Sequence, residues 1–366
     1  MQTGNHPTRI HTIVVGGGQA GLAVGYHLAR RGIRFLILDA GLRVGDAWRN
    51  RWDSLRLFTP ARYVKLPGLR FPARGDSFPT KEQMADYLEA YSQRFRLPVR
   101  HGLRVDRVSR RGEAFLVSAG SEKFEAENVV VAMANYQKAR KPRFAVNLHP
   151  GIKQLHSAEY RNPSQLQPGK VLVVGAGNSA AEIAIEISGT HCTLMSGRES
   201  GHVPFPIESL FFRFVGIRIL RFLGHHILSL ATPIGRKLRP KMLHRSAPLV
   251  RVKPADLAER GVERVPRVVG VRDGLPLLDD GRTLEVQNVV WCTGYEPGFS
   301  WIDLPVFEAN GDPLHDRGIV SRAPGLFFVG LHYLYSMTSA TIVGVSRDAE
   351  RVVNAITRRG RSQAAA

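Results

Sequence analysis

Two stretches of the chain share one pattern of apolar and polar positions. Each opens on a short apolar run, residues 13–15 in the first and residues 171–174 in the second, and each run ends in closely spaced glycines. An apolar face at helical spacing follows in both, and then a second short apolar run. Short apolar runs bounded by glycine are typical of buried strands. The pattern therefore predicts two copies of a strand–turn–helix–strand unit.

The first unit, residues 12–39, carries Gly16, Gly18 and Gly21 at the G-x-G-x-x-G spacing and closes on Asp39. In this motif the first glycine permits the turn, the second lets the backbone approach a pyrophosphate, and the third lets helix and strand pack closely. The helix N-terminus adds unpaired N–H groups and a positive dipole end, and the closing acid accepts hydrogen bonds from ribose hydroxyls. We therefore predict a dinucleotide site rather than a plain glycine turn.

The second unit differs from the first at its third glycine and at its closing acid. Gly175 and Gly177 are present, but Ala180 takes the third place, where alanine still allows close packing. Ser196 and Arg198 stand where the acid would be. An acid there would repel a 2′-phosphate, whereas serine and arginine would bind it. The second unit is therefore predicted to bind NADP(H) rather than NAD(H).

The region after Asp39, residues 41–72, is rich in glycine, proline, arginine and aromatic residues and has no clean periodicity. It predicts an ordered loop region against the first nucleotide site. Trp48 and Trp52 are expected either to stack on a ring system or to pack in the core, and Arg49 and Arg51 to meet phosphates.

Further along the chain, the periodicity predicts several ordinary elements. They are a helix that begins after the capping box Thr80–Gln83, a small β meander over residues 99–132, a buried strand at 289–292 and a C-terminal helix over 340–356.

Residues 211–230 are apolar around most of a helix, with Arg213, Arg218, Arg221 and His225 on one narrow arc. One interpretation is a basic amphipathic helix that makes a peripheral membrane contact through residues 211–241. The other is a helix that caps the active site or packs against a neighbouring subunit of a homo-oligomer. We favour the second, because Gly216 and Gly224 weaken an isolated helix.

Charge and cysteine content narrow the classes of partner. Lys and Arg number 51 against 31 Asp and Glu, a balance of +20 that suits anionic ligands, acidic substrates or an anionic membrane surface. No helix-turn-helix, zinc or RNA-binding signature occurs, so we expect no nucleic-acid partner. Cys192 and Cys292 form no C-x-x-C pair, which argues against a disulfide scaffold and against a disulfide reductase.

The sequence indicates neither a metal site nor a targeting segment. The pair His225–His226 has no carboxylate or cysteine at ligand spacing. No run of 18 or more apolar residues and no apolar leader is seen, and the cysteine usage fits a reducing compartment. We therefore expect a cytoplasmic protein without a metal.

Six motifs carry a resemblance that extends over nearly the whole chain. They are GGGQAG, VGDAWRNRWDSLRLFTP, FPTKEQMADYLEAY, HSAEYRNP, VLVVGAGNSAAE and VVWCTGY. Together they resemble the flavin-containing monooxygenases, and among these the bacterial members similar to plant auxin-forming enzymes. The partial signature His156-x-x-x-Tyr160 has Tyr rather than Trp, which leans away from the Baeyer–Villiger branch.

The resemblance implies an α/β fold of two three-layer, Rossmann-like dinucleotide-binding domains, with the NADPH domain inserted into the FAD domain. Residues 1–165 and 296–366 would form the discontinuous FAD-binding domain. Residues 166–295 would form the NADPH-binding domain, including a basic and apolar helical insertion at 201–260.

The resemblance also assigns cofactor-binding residues. Those expected at FAD are Gly16, Gly18, Gln19, Ala20, Gly21, Asp39, Asp46, Trp48 and Arg49. Those expected at NADPH or at the linker between the domains are Gly175, Gly177, Asn178, Ser179, Ser196, Arg198, Thr293 and Gly294.

The activity implied is that of an NAD(P)H-dependent flavoprotein monooxygenase. NADPH would reduce FAD, and reduced flavin with O₂ would form a C4a-(hydro)peroxyflavin that oxygenates a small substrate at nitrogen, sulfur or a carbonyl group. Because the flavin carries the chemistry, no catalytic side chain is predicted. Two alternatives stay open, a flavin oxidoreductase or diaphorase that passes electrons to a partner, and a non-enzymatic nucleotide-sensing regulatory protein.

Overall fold

One mixed and one parallel β-sheet organise the chain. The computed structural model describes residues 7–199, 201–243 and 247–364. Residues 1–6 and 365–366 of the predicted first domain, and residues 200 and 244–246 of the predicted insertion, lie outside the described residues.

The strands are β1 Thr8–Val15, β2 Phe35–Leu38, β3 Val99–Arg100, β4 Arg107–Arg111, β5 Ala114–Ala119, β6 Glu122–Val131, β7 Lys138–Ala139, β8 Lys153–His156, β9 Val171–Val174, β10 Thr193–Ser196, β11 Glu263–Val265, β12 Val268–Arg272, β13 Leu275–Leu278, β14 Asn288–Trp291, β15 Tyr295–Glu296 and β16 Leu326–Phe328. The α-helices are α1 Gln19–Ala29, α2 Asp46–Arg49, α3 Lys81–Arg94, α4 Asn178–Ser188, α5 Ile217–Phe222, α6 Pro233–Leu243, α7 Pro254–Glu259 and α8 Val345–Ala364. The capping box at the start of α3 is present as predicted.

The first unit is built on the sheet β3-β2-β1-β6-β5-β4, in which β6 is the central strand. β6 lies parallel to β1 along its length, while its other edge pairs first with antiparallel β5 and then with parallel β16. The meander β4-β5-β6 is the one that the sequence predicts. This strand order brings the carboxyl ends of β1, β6 and β16 to one edge, where ligands of such sheets bind.

Alternate side chains of the central strands enter two separate cores. Val14 and Val130 pack among residues of α1, α3 and α8, whereas Ile13 and Val129 pack on the opposite face of the sheet. Because a strand buried on both faces is covered by two layers, the first unit has three layers, as the sequence predicts.

The second unit is a five-stranded parallel sheet in the order β11-β10-β9-β14-β8. One face packs against α4 and α7, and the other is covered by the antiparallel hairpin β12-β13. The boundary differs from the sequence prediction, which gives residues up to 165 to the first unit. β8 pairs with β14, so the second unit begins before β8. The short strand β8 has too little apolar periodicity to reveal its sheet.

The chain crosses between the units twice, and both crossings lie in one ribbon. β7 leads out of the first unit, β15 leads back, and the two pair antiparallel, Tyr295 with Ala139 and Glu296 with Lys138. We call this pair, together with Thr293 and Gly294 that lead into β15, the linker ribbon. It is the place at which the second unit is inserted into the first.

Residues 210–227 form one continuous helix, which we call the surface helix. Its segments Phe212–Gly216 and Leu223–Ile227 have π-helical hydrogen bonding, and α5 lies between them. Its inward side chains Phe212 and Ile217 pack with Phe78 of the first unit and Ile207. Within the described ranges, no helix is long and apolar enough to cross a membrane.

Candidate functional site

The first glycine turn lies at the carboxyl end of β1. Gly16 has a φ of +106°, which favours glycine, and a Cβ on Gly21 would lie 1.9 Å from the Gly16 carbonyl oxygen. A Cβ on Gly18, in contrast, would meet no protein atom within 4 Å. The first and third glycines are therefore required by the fold, while the second keeps open space in front of the turn.

The second glycine turn repeats this division of roles. Gly175 has a φ of +137°, and a Cβ there would lie 2.3 Å from the carbonyl oxygen of Cys292. A Cβ on Gly177 would meet nothing within 4 Å. Ala180, in the third position, is buried and packs in the core of the second unit. Both turns therefore leave space at the same position of the motif.

Both helices that follow the turns begin without a side-chain cap. Gly18 precedes α1 and Gly177 precedes α4, and neither helix has an acidic residue in its first turn. The first N–H groups of such a helix lack intrahelical partners and favour an anion. Each turn therefore fits a pyrophosphate group, as the sequence predicts. Ala20 lies buried in the first turn of α1, and Ser179 lies half-buried in that of α4.

Asp39 closes β2 beside the first turn. Its carboxylate accepts hydrogen bonds from the backbone N–H groups of Gly17 and Gly41. A carboxylate has about four acceptor sites, so capacity remains for ribose hydroxyls. Asp39 thus both holds the glycine turn and fits the predicted ribose contact.

The loop after Asp39 folds back onto the first turn. The indole Nε1 of Trp48 donates to Gln19 Oε1 at 3.1 Å, which joins α2 to the start of α1. Trp52 is buried in the core of the second unit, so it packs rather than stacks on a cofactor ring. Asp46 accepts a hydrogen bond from the backbone N–H of Arg43.

Arg49 does not supply the predicted phosphate contact. Its guanidinium lies 3.0 Å from Asp86 and 3.1 Å from Glu89, and it also donates to the Val44 carbonyl. Asp46 lies 3.6 Å from the same group. Because these acceptors surround the guanidinium, Arg49 ties α2 to α3. The sequence could not reveal this, since the acids lie almost forty residues further along the chain.

Ser196 also departs from its predicted role. The residue is fully buried, and its hydroxyl donates to the Pro266 carbonyl and accepts from the Val268 N–H, each at 2.9 Å. A hydroxyl has one proton to donate, and Ser196 has already used it within the protein. Ser196 therefore does not contribute to 2′-phosphate binding in this structure. Arg198, two residues later, is exposed.

The side chain of Asn178 connects two parts of the second unit. Its Nδ2 donates to the Pro248 carbonyl at 3.0 Å, and its Oδ1 accepts from the Val250 N–H at 2.8 Å. The side-chain amide thereby fixes the segment after α6. The backbone N–H of Asn178 and the second proton of its Nδ2 remain available to the predicted pyrophosphate.

Thr293 and Gly294 lie in the linker ribbon. The Thr293 hydroxyl donates to the Arg140 carbonyl, and the Arg140 guanidinium donates back to the Thr293 carbonyl at 2.8 and 3.0 Å. The Gly294 carbonyl accepts from the Arg140 N–H and lies 3.1 Å from His156 Nε2. These contacts fix the course of the chain between the units.

Tyr295, in the linker ribbon, lies at the centre of a cluster of polar and aromatic side chains. Arg51 donates to its hydroxyl at 2.8 Å. The rings of His156 and Tyr136 meet it edge to face at 5.1 and 5.4 Å, and the ring of His332 meets that of Tyr136 at 5.2 Å. The motif VVWCTGY and the histidine signature point to Tyr295 and His156, but no sequence pattern reveals the other members.

Lys81 is a second feature that the sequence analysis missed. It is 4% exposed, and its ammonium donates to Asp53 Oδ1 at 2.8 Å and to the carbonyls of Arg49 and Arg51. The amide of Asn162, from the second unit, donates to the other oxygen of Asp53 at 2.7 Å. This ion pair, buried on the Lys81 side only, therefore connects the loop after α2 to both units.

Glu182 on α4 has a perturbed acidity. Burial raises the pKa of Glu182 to about 7, although Arg251 at 3.2 Å opposes the shift. Arg251 also donates to the Arg56 and Leu57 carbonyls. The pair therefore belongs to the contact between the second unit and the loop of the first.

In the part of the chain that the structure describes, no group of three or more His, Cys, Asp or Glu side chains could hold a metal ion. Cys192 and Cys292 are both free thiols.

Sequence comparison identifies relatives along the chain. Residues 13–201 match the family "Pyridine nucleotide-disulphide oxidoreductase". A protein of Geobacillus kaustophilus named uncharacterized oxidoreductase CzcO-like is 38% identical over 95% of this chain and 98% of its own. The probable indole-3-pyruvate monooxygenase YUCCA3 of Arabidopsis thaliana is 28% identical over 96% of this chain and 87% of its own.

Structure comparison agrees with these matches. A flavin-containing monooxygenase from Stenotrophomonas maltophilia superposes with a TM-score of 0.75 at 30% identity, covering 96% of this chain and 99% of that one. A bacillithiol disulfide reductase from Staphylococcus aureus reaches 0.71 at 14% identity, covering 96% and 99%, and that likeness concerns the fold alone.

Proposed function

We propose that this protein uses O₂ to oxygenate a small organic substrate at a nitrogen, a sulfur or a carbonyl group. The chain belongs to the pyridine nucleotide-disulphide oxidoreductase family. Within that family it belongs to the FAD- and NADPH-dependent flavin-containing monooxygenases.

One observation carries this proposal, namely that the linker ribbon connects the two glycine turns. The first turn abuts Ala132, at the end of β6, from which the chain runs into β7. The second turn abuts Cys292, at the end of β14, from which the chain runs into β15. Because β7 and β15 pair, one short element connects the two turns at which we expect the cofactors to bind. Hydride transfer between two bound cofactors needs this kind of fixed relation.

When bound, FAD and NADPH would supply the hydride and oxygen chemistry. The turn around Gly18 and the start of α1 would hold the FAD pyrophosphate, and Asp39 its ribose. The turn around Gly177 and the start of α4 would hold the NADPH pyrophosphate. Arg198 is exposed and follows Gly197, whose added Cβ would lie 2.9 Å from the Gly175 carbonyl carbon, and it would bind the 2′-phosphate.

The remaining role of the chain is to orient the cofactors and keep water out. The inward face of the surface helix packs with Phe78 and, around it, with Phe58 and Tyr63 of the first unit. This packing joins the insertion to the loop that also contacts the first turn. A dry, enclosed site favours oxygen transfer over loss of oxygen as peroxide.

The proposal is tested with the purified, FAD-loaded enzyme supplied with NADPH, isotopically labelled O₂ and a panel of amines, sulfides, ketones and 2-oxo acids. Indole-3-pyruvate belongs in the panel because the plant relative YUCCA3 is a probable indole-3-pyruvate monooxygenase. We expect NADPH oxidation, O₂ uptake and one labelled oxygen atom in a product. Acceptor-dependent NADPH oxidation without a labelled product would instead indicate a reductase, and tight nucleotide binding without turnover would indicate a regulatory protein.

A further inference from the structure

The outward face of the surface helix is apolar and exposed. Among the described residues, ten of the fourteen large apolar side chains that are strongly exposed lie between residues 210 and 242. Phe211 is 61% exposed, Phe222 58% and Ile219 52%. Isolated exposed apolar residues are ordinary, but a contiguous apolar patch marks an interaction surface.

The orientation of this face is fixed by the packing of the opposite face. Phe212 and Ile217 are buried in contact with the first unit. A Cβ on Gly224 would lie 2.7 Å from the side chain of Met337, so the end of the helix lies close against the loop before α8. Because the inward face is occupied, the exposed face cannot turn inward without breaking these contacts.

The segment that forms the apolar face carries positive charge only, and the acid Asp76 of the first unit lies 3.8 Å from Arg213 on its inward side. Residues 211–241 contain seven Lys and Arg and no Asp or Glu. Arg236, Lys237 and Lys241 are exposed on α6, which follows the surface helix. Arg218 is exposed on the helix itself, with its Nε 3.3 Å from the Tyr63 hydroxyl. An exposed apolar strip bordered by basic side chains is complementary to anionic headgroups above acyl chains.

We propose that the surface helix and α6 dock in the interfacial plane of an anionic lipid bilayer. The apolar side chains around Phe211, Ile219 and Phe222 enter the boundary between headgroups and acyl chains, and Arg236, Lys237 and Lys241 contact the headgroups. A second copy of the chain fits this face less well, because two such faces would bring together the exposed Arg218, Arg236, Lys237 and Lys241 of both copies.

The test measures binding of the FAD-loaded, full-length protein to sedimented vesicles. One set contains phosphatidylcholine alone and the other phosphatidylcholine with phosphatidylglycerol, each at low and high salt. We expect binding to the anionic vesicles, weakened by salt, and little binding to the neutral ones. Equal binding to both sets, or no binding to the anionic set, overturns the proposal.

Two sets of substitutions locate the surface. The triple variant Phe211→Ser, Ile219→Ser, Phe222→Ser should weaken vesicle binding by roughly 100-fold, since each buried apolar side chain contributes. The variant Arg236→Gln, Lys237→Gln, Lys241→Gln should weaken it by roughly 100-fold as well, at about tenfold or less per charge. NADPH-dependent flavin reduction should persist in both, which shows that they are folded.

Matched controls change similar residues elsewhere. Leu42 and Val146 are 83% and 85% exposed, and Leu42→Ser with Val146→Ser should leave binding unchanged. Lys123, Lys153 and Lys170 are exposed, and their change to Gln removes the same three charges from other faces. Equal losses in test and control variants would overturn the proposal. A dimer in sedimentation equilibrium that the Phe211, Ile219 and Phe222 changes abolish would assign the face to a second copy instead.

Discussion

The imidazole Nε2 of His156 donates a hydrogen bond to the carbonyl oxygen of Gly294, at 3.1 Å. The direction of this bond follows from the other ring nitrogen, because Nδ1 accepts from the Ala158 N–H at 3.1 Å and so carries no proton. Burial lowers the pKa of His156 below its usual range, which keeps this neutral tautomer. His156 ends β8, so the bond ties the sheet of the second unit to the linker ribbon.

Replacing His156 by Ala should loosen the linker ribbon. The change removes a hydrogen bond inside a fully buried site, so we expect the free energy of unfolding to fall by about 1–3 kcal/mol. The fraction of NADPH oxidised with product formation should fall, with the remainder appearing as hydrogen peroxide. Chemical denaturation and a paired assay of NADPH and peroxide measure these effects.

The exposed His101 provides the control. His101→Ala should change neither stability nor peroxide release. If His156→Ala lowered stability but left the yield of product per NADPH unchanged, the residue would hold the fold without positioning the two units for turnover.

Substitutions at two glycines of the first turn should affect folding and cofactor binding separately. Gly18→Ala introduces a Cβ into open space, so the apoprotein should keep its stability. The added methyl lies where the pyrophosphate is predicted, so we expect the Kd for FAD to rise at least about tenfold, or about 1.4 kcal/mol. Flavin titration monitored by fluorescence measures the affinity.

Gly21→Ala is the contrasting change in the same turn. Its Cβ would lie 1.9 Å from the Gly16 carbonyl oxygen, so the helix must move. We expect the apoprotein to lose about 3 kcal/mol of stability or more. If Gly18→Ala destabilised the apoprotein as much as Gly21→Ala, the space before Gly18 would not be the cofactor site.

Arg198 should set the preference between NADPH and NADH. Removing a charged hydrogen-bond donor from a phosphate costs about 1.5–3 kcal/mol, so Arg198→Ala should raise KM for NADPH by roughly 10- to 100-fold. The KM for NADH, which has no 2′-phosphate, should stay the same. Steady-state assays with both nucleotides measure the two constants.

Arg104 is exposed on the first unit and serves as the charge-matched control. Arg104→Ala should affect neither nucleotide. An equal rise of KM for NADPH and NADH in Arg198→Ala would contradict the assignment, because it would show a general loss of nucleotide affinity.

The titration of Asp348 should make the stability of the protein depend on pH. This residue is buried in α8 with Arg347 Nε 3.7 Å away, and burial raises the pKa of Asp348 from its ordinary value of 3.8 to about 6. The folded state therefore binds this proton more tightly than the unfolded state. Wild-type stability accordingly falls as the pH rises from about 4 to about 6.

Asp348→Asn removes this titration. Relative to the wild type, the free energy of unfolding of the variant should increase by about 1 kcal/mol between pH 5 and pH 7. Urea denaturation at the two pH values measures it. Asp279→Asn, at an exposed position, should show no such difference, and a pH-independent effect of Asp348→Asn would rule out a shifted carboxyl group.

The features that the sequence predicted are those encoded within a few residues of each other. The glycine turns, the closing Asp39 and the capping box at Thr80 each depend on short spacings, and the structure contains all of them. The family resemblance supplied the insertion of one unit into the other, because its motifs occur in a fixed order.

The features that the sequence missed depend on partners far along the chain. Ser196 was predicted to face a phosphate, but its hydroxyl bonds to Val268, 72 residues away. Arg49 was predicted to meet a phosphate, but it pairs with Glu89, 40 residues away. Local spacing cannot show in which direction a side chain at the end of a strand points, because its partner belongs to a distant part of the chain.

The linker ribbon has a consequence for how this fold could have arisen. The two ends of the second unit, at Ala139 and Tyr295, are hydrogen-bonded neighbours. A unit whose ends meet can enter a surface loop of another protein with little loop-closure entropy and without breaking the host sheet. The two units share the same strand, glycine turn and helix order, and the second enters a loop of the first at chain ends that lie side by side.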